Sequence, residues 1–196
     1  MKDATDLGGI VSGSISYRLQ GILKRPRLDT LHDLDIAFPL SAHGLHLRHP
    51  QLPTAFPSMY YLGTDNVWNG DALLTEIEAN PQTHQILETF RQRPGFSIIG
   101  AFMSDTNVIL NTMICEDPSI VERFKNMTGN FNSRLENFTE EERDKITILD
   151  IFFNGTNDVA SDYITDTERG INLAHYRHSF NAKMKFGRAK DIYDYQ

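Results

Sequence analysis

The stretch GSISYRLQGILKRPRLDTLHDLDIAFP, from Gly13 to Pro39, decides how this chain is read. Its second half alternates. Leu31, Asp33, Asp35 and Ala37 fall on one side of an extended segment, and His32, Leu34, Ile36 and Phe38 on the other. That pattern predicts a β-strand with an apolar back and an acidic front. Carboxylates two residues apart on a strand share a face, on the order of 6–7 Å apart. Like charges that close repel, and each raises the other's pKa. A divalent cation between them removes the penalty. The competing reading is an exposed, solvated edge.

Two further features bear on that choice. Upstream, Ile10–Val11 reads as a short strand running into Gly13-Ser14. The apolar residues Ile15, Leu19, Ile22 and Leu23 then recur at helical spacing, with Ser14 as the expected N-cap. A strand, a Gly-Ser turn and a helix start offer backbone N–H groups to an anion. Downstream, ITILDIFFNG is the most apolar strand of the chain, yet it carries Asp150. A lone charge there is costly unless something compensates it, so Asp150 is the candidate third carboxylate.

The bulk properties set the frame. The 196 residues predict one domain, and 40% hydrophobic content suits a globular core. The net charge of -7 argues against a broad nucleic-acid footprint, though a local basic pocket remains compatible. The single cysteine, Cys115, permits no internal disulfide, and it is expected to be buried. No apolar run approaches the roughly 20 residues of a membrane span. No secretory leader is visible, so a cytoplasmic location is expected and the Asn-x-Thr sequons at Asn126, Asn137 and Asn154 are expected to stay unglycosylated.

Elsewhere, short strands are expected at GLHLRH and SMYYLG. Residues 71–93 read as helical with a break at Asn80-Pro81, and FSIIGAFM and NVILNTMI form a hairpin around SDTN. Pro118 opens a short helix, TEEERDK another, and the segment from 166 to 196 reads as helical and polar. The order is mixed, which favours an α+β fold with a mixed sheet.

Gly-Ser, a helix, and then hydrophobic-Asp-hydrophobic-Asp-hydrophobic resembles the polymerase-β-type nucleotidyltransferase superfamily. The C-terminal AKMKFGRAKDIYD resembles the Lys…Arg-x-Lys-Asp-x-x-Asp helix of the AbiEii-like minimal branch, some of whose members act in toxin–antitoxin systems. The resemblance implies a mixed sheet flanked by helices, a large central insertion over about 42–137, and a C-terminal helical segment. It implies two Mg²⁺ ions, with Mn²⁺ as an alternative, on Asp33, Asp35 and Asp150. Gly13 and Ser14 would hold the phosphates of an NTP such as ATP, with Arg18, Arg25, Lys183, Arg188 and Lys190 as cationic partners. Lys183 and Lys190, seven apart, share one helical face. The chain departs from the family's pattern in long gaps from Ser14 to Asp33 and from Asp35 to Asp150, and in lacking the helix before the Gly-Ser strand.

The implied activity is transfer of a nucleoside monophosphate to a small molecule, a tRNA end or a protein hydroxyl, with Asp150 as a candidate proton acceptor. The rivals are a non-catalytic nucleotide- or protein-binding module and a metal-dependent phosphohydrolase. Other signals carry less. His43, His46 and His49 sit in a glycine-containing loop, His175 and His178 read as a surface pair, and Trp68, Tyr60 and Tyr61 as packing residues.

Overall fold

The computed structural model describes residues 2–21, 33–39, 59–61, 70–103, 107–128, 131–154 and 163–177. Among the described residues, eight strands form one mixed sheet: β1 (Ile10–Ser12), β2 (Asp33–Pro39), β3 (Met59–Tyr61), β4 (Phe96–Met103), β5 (Asn107–Ile114), β6 (Thr147–Asn154), β7 (Tyr163–Asp166) and β8 (Ile171–Ala174). Their spatial order is β3-β4-β5-β6-β2-β1-β8-β7. β2 runs parallel to β6 and β1 parallel to β8, and the other neighbours are antiparallel. With its helices, the chain is α+β.

The alternation of β2 sorts as its sequence predicts. Ile36 and Phe38 are buried in the main core with Leu149, Ile151 and Phe153 of β6, and Leu34 packs against it. The helices α3 (Gly70–Ala79) and α4 (Pro81–Arg91) add Ile77, Ile86, Leu87 and Phe90 to that core. Each such side chain contributes roughly 1.5–3 kcal/mol relative to an exposed one. The break between the two helices falls at Asn80-Pro81, as expected. The Asn80 Oδ1 accepts from the N–H groups of Gln82 and Thr83, and Pro81 takes a first-turn position that needs no donor.

A second core lies on the other face of the sheet. Ile99, Met113 and Ile148 pack there with Ile120 and Phe124 of α5 (Pro118–Asn126), and with Phe138. Phe124 and Phe138 stack with centroids 5.9 Å apart. The fully buried Arg134, on α6 (Phe131–Leu135), donates to the Phe124 carbonyl oxygen at 3.4 Å. Then α7 (Glu140–Asp144) opens with a capping box between Thr139 and Glu142. Cys115 is buried and free.

Several expectations need correction. The chain does have a helix before the first strand, α1 (Lys2–Asp6), which buries Ala4 and is tied to β1 through the Gly9 N–H on the Ala4 carbonyl. The helix after β1, α2 (Gly13–Leu19), begins two residues earlier than expected: Ser12, not Ser14, is its N-cap. It ends at Leu19, where Gln20 and Gly21 turn the chain. The polar stretch from 166 is not helical at its start. Asp166 Oδ1 accepts from the N–H groups of Glu168 and Arg169, which folds the chain into a tight turn. That turn joins β7 to β8, whose Ile171 and Leu173 pack on Val11. Residues 178–196, and with them the rest of the expected C-terminal helix, lie outside the described residues. The segment from about 42 to 137 supplies β3, β4 and β5 to the sheet, and β5 pairs along the whole length of β6.

Candidate functional site

β6 and β2 lie side by side with Asp35 and Asp150 as register partners. Neighbouring strands are about 4.8 Å apart, and partnered residues project to the same face. The two carboxylates therefore sit together, on the face opposite Ile36 and Ile151. The register extends the row in both directions. Ser12 of β1 is the partner of Asp35, and Asn111 of β5 is the partner of Asp150. The row Ser12–Asp35–Asp150–Asn111 thus crosses four strands through a sheet that is otherwise largely apolar. Asp35 and Asp150 are half-buried, and Asn111 is buried.

Each acid is held by a different device. Gly13, the first residue of α2, follows Ser12 at φ 67°. A Cβ built on it would lie 1.9 Å from the Asp35 Oδ2. The Asp35 carboxylate therefore occupies the space a side chain at position 13 would take. Across the row, the Asn111 Nδ2 donates to Asp150 Oδ1 at 2.6 Å. An amide N–H on a carboxylate is a charge-assisted bond, stronger than a neutral one.

The donor set suits a hard divalent cation, which prefers carboxylate oxygens. A Cβ-free approach at Gly13 leaves Asp35 a position beside the turn. Among the described residues, no group of three or more His, Cys, Asp or Glu gathers as a metal-binding cluster. Asp33 opens β2 as the partner of Ile148, and its side chain lies outside the described residues. Among the described side chains, the pair brought together is Asp35 with Asp150.

The other expected residues divide sharply. Ser14 and Arg18 lie on α2, exposed, and Arg18 occupies its last turn. Arg25, Lys183, Arg188 and Lys190 lie outside the described residues, as do His43, His46, His49, Trp68 and His178. The described chain brings Asp35 against Gly13 of the Gly-Ser turn, with Asp150 beside it in register. Sequence reasoning missed Asn111, although the signal was present: a polar residue in NVILNTMI, on a buried strand, needs a partner. Ser12 was likewise passed over as part of a turn.

A separate concavity of about 430 Å³ opens beside α5, between Gly95, Cys115 and Lys125. Neither Asp35 nor Asp150 lines it, so it is not part of this site. No helix among the described residues is long and apolar enough to cross a membrane. No protein-family model matches the chain, and no curated protein or solved structure is significantly similar to it.

Proposed function

We propose that this chain is a nucleotidyltransferase of the polymerase-β type, which transfers a nucleoside monophosphate from an NTP to an acceptor hydroxyl. The observation that carries the reading is the register of Asp35 against Asp150 on adjacent parallel strands, beside the Gly13 turn. Asp33 joins them in this reading from two positions upstream on β2. Bound Mg²⁺ would neutralise triphosphate charge and acidify the acceptor hydroxyl. The chain's own residues position the reactants. Gly13 and Ser14 border the phosphates, and Asp35 and Asp150 fix the reacting end on the open side of the turn. The acceptor oxygen bonds to the α-phosphorus, the α–β phosphoanhydride breaks, and pyrophosphate leaves. The acceptor's proton passes to Asp150. Lys183, Arg188 and Lys190 are assigned to the triphosphate.

The test is incubation of the full chain with Mg²⁺, each α-³²P-labelled NTP in turn, and RNA, protein and small-molecule fractions from a cell extract. Label covalently transferred by the wild type, and lost in Asp35→Asn and Asp150→Asn, supports the reading. Release of phosphate or pyrophosphate with no labelled acceptor shifts it to a phosphohydrolase. Nucleotide bound without turnover shifts it to a binding module.

A further inference from the structure

Asn111 sits in the middle of β5, buried, in a position where an apolar residue would satisfy the strand at no desolvation cost. Its partner across the ladder is Asp150, and its Nδ2 donates to Asp150 Oδ1 at 2.6 Å. The amide must present its N–H side here, because two facing oxygens would repel. The torsion that rotates a carboxylate about its Cβ–Cγ bond is soft. One oxygen pinned by an N–H fixes that rotation and therefore fixes where the second oxygen lies. Asp35 is confined differently, against the Cα of Gly13. The two acids are thus bracketed from opposite ends of the row, one by steric contact and one by a hydrogen bond. An aspartate at 111 would add a third like charge, and a leucine would remove this hydrogen bond. Asparagine supplies a donor without a charge.

We propose that Asn111 is the positioning residue of this site: its side-chain N–H holds the Asp150 carboxylate in the orientation from which it shares a divalent cation with Asp35. The inference rests on the reading of Asp35 and Asp150 as cation ligands. Outer partners of metal-binding carboxylates typically cost about 10- to 100-fold in affinity when removed.

The test is Mn²⁺ binding to the full chain without nucleotide, read from the EPR signal of the free ion. Wild type, Asn111→Leu, Asn111→Ala and Asp35→Asn are compared, each with its thermal unfolding midpoint in the absence of metal. The expected result is Mn²⁺ affinity weakened about 10- to 100-fold in both Asn111 variants, with the folded state retained. Loss in Asp35→Asn but wild-type affinity in both Asn111 variants overturns the positioning role alone. Wild-type affinity in Asp35→Asn, or no Mn²⁺ binding by the wild type, overturns the site and this role with it. A second measurement does not depend on how the variants fold. In the wild-type protein the Asn111 side-chain NH₂ resonance should shift as diamagnetic Mg²⁺ is titrated in. A resonance that stays put at saturating Mg²⁺ overturns the proposal.

Discussion

Replacing Gly13 by alanine is the sharpest perturbation of the site, because two separable effects act at one position. The first is backbone. Gly13 has φ 67°, where an L-residue costs roughly 1–2 kcal/mol, partly offset by about 0.4–1 kcal/mol from a stiffer unfolded chain. The second is the Asp35 carboxylate. The new Cβ would stand 1.9 Å from its Oδ2 and 3.0 Å from its Cγ. Rotating the carboxylate about its soft terminal torsion relieves the first contact but not the second. The whole side chain must swing or the strand must shift, at about 0.5–1.5 kcal/mol for an off-rotamer side chain. The net destabilisation is about 1–2 kcal/mol, which for a chain of this size lowers Tm by roughly 2–8 °C. The functional loss is larger, since a misplacement of about 1 Å in a reacting site costs on the order of 100-fold.

Gly21 provides the control. It also has a positive φ, 72°, but a Cβ there would meet nothing within 4 Å among the described residues. Gly21→Ala therefore carries the backbone cost alone. Thermal unfolding and Mn²⁺ binding of the two variants, measured together, separate the effects. Gly13→Ala should lose Mn²⁺ affinity while Gly21→Ala keeps it, with both less stable than wild type. Equal Mn²⁺ affinity in the two variants would refute the claim that position 13 is kept bare for Asp35.

Two further outcomes probe the scaffold. The Arg123 guanidinium, hydrogen-bonded to Glu142 at 2.6 Å, together with the Thr139 N–H, holds the Glu142 carboxyl down at about 2 from its ordinary 4.5. A depressed carboxyl stabilises the fold above the unfolded value and loses that contribution as pH falls through the folded one. The Tm difference between wild type and Glu142→Gln should thus be full above pH 4.5 and close towards pH 2; a difference constant across that window counts against the pairing. Asn80→Ala removes the acceptor for two N–H groups at the start of α4 and should cost about 1 kcal/mol. Asn80→Ser should recover most of it, and a melt of Asn80→Ala that coincides with wild type would show that the cap carries no stability.

Local patterns were readable from the sequence where the physics is local. The acidic and apolar faces of β2 follow from alternation. The α3–α4 break follows from Asn80-Pro81, and the β4–β5 hairpin from two apolar runs around a polar turn. The reading failed where a short element is outweighed by its surroundings. The β7–β8 hairpin has only four residues per strand. It is embedded in charged sequence, so the polarity of the segment suggested a helix. Its strand character comes from the Asp166 turn and from the burial of Ile171 and Leu173 against Val11, a residue some 160 positions away. α1 was passed over for a similar reason, since a five-residue helix is marginal alone and is held here by packing.

The site shows the same division at closer range. Alternation within one strand places Asp33 and Asp35 on a face, but nothing within that strand says which strand lies beside it. Over a hundred residues separate Asp35 from Asp150, and parallel pairing needs a long crossover. A shift of the register by one residue would have sent Asp150 to the opposite face, into the apolar core with Ile151. What fixes the register is the apolar set itself: Leu149, Ile151 and Phe153 must face the same core as Ile36 and Phe38. That requirement carries Asp150 to the other side, next to Asp35. It carries Asn111 there as well, because Leu110 of β5 is bound to the same core. The burial of hydrophobic side chains on one face of the sheet thus assembles the polar row on the other, and that row could not be read from any one of its four strands.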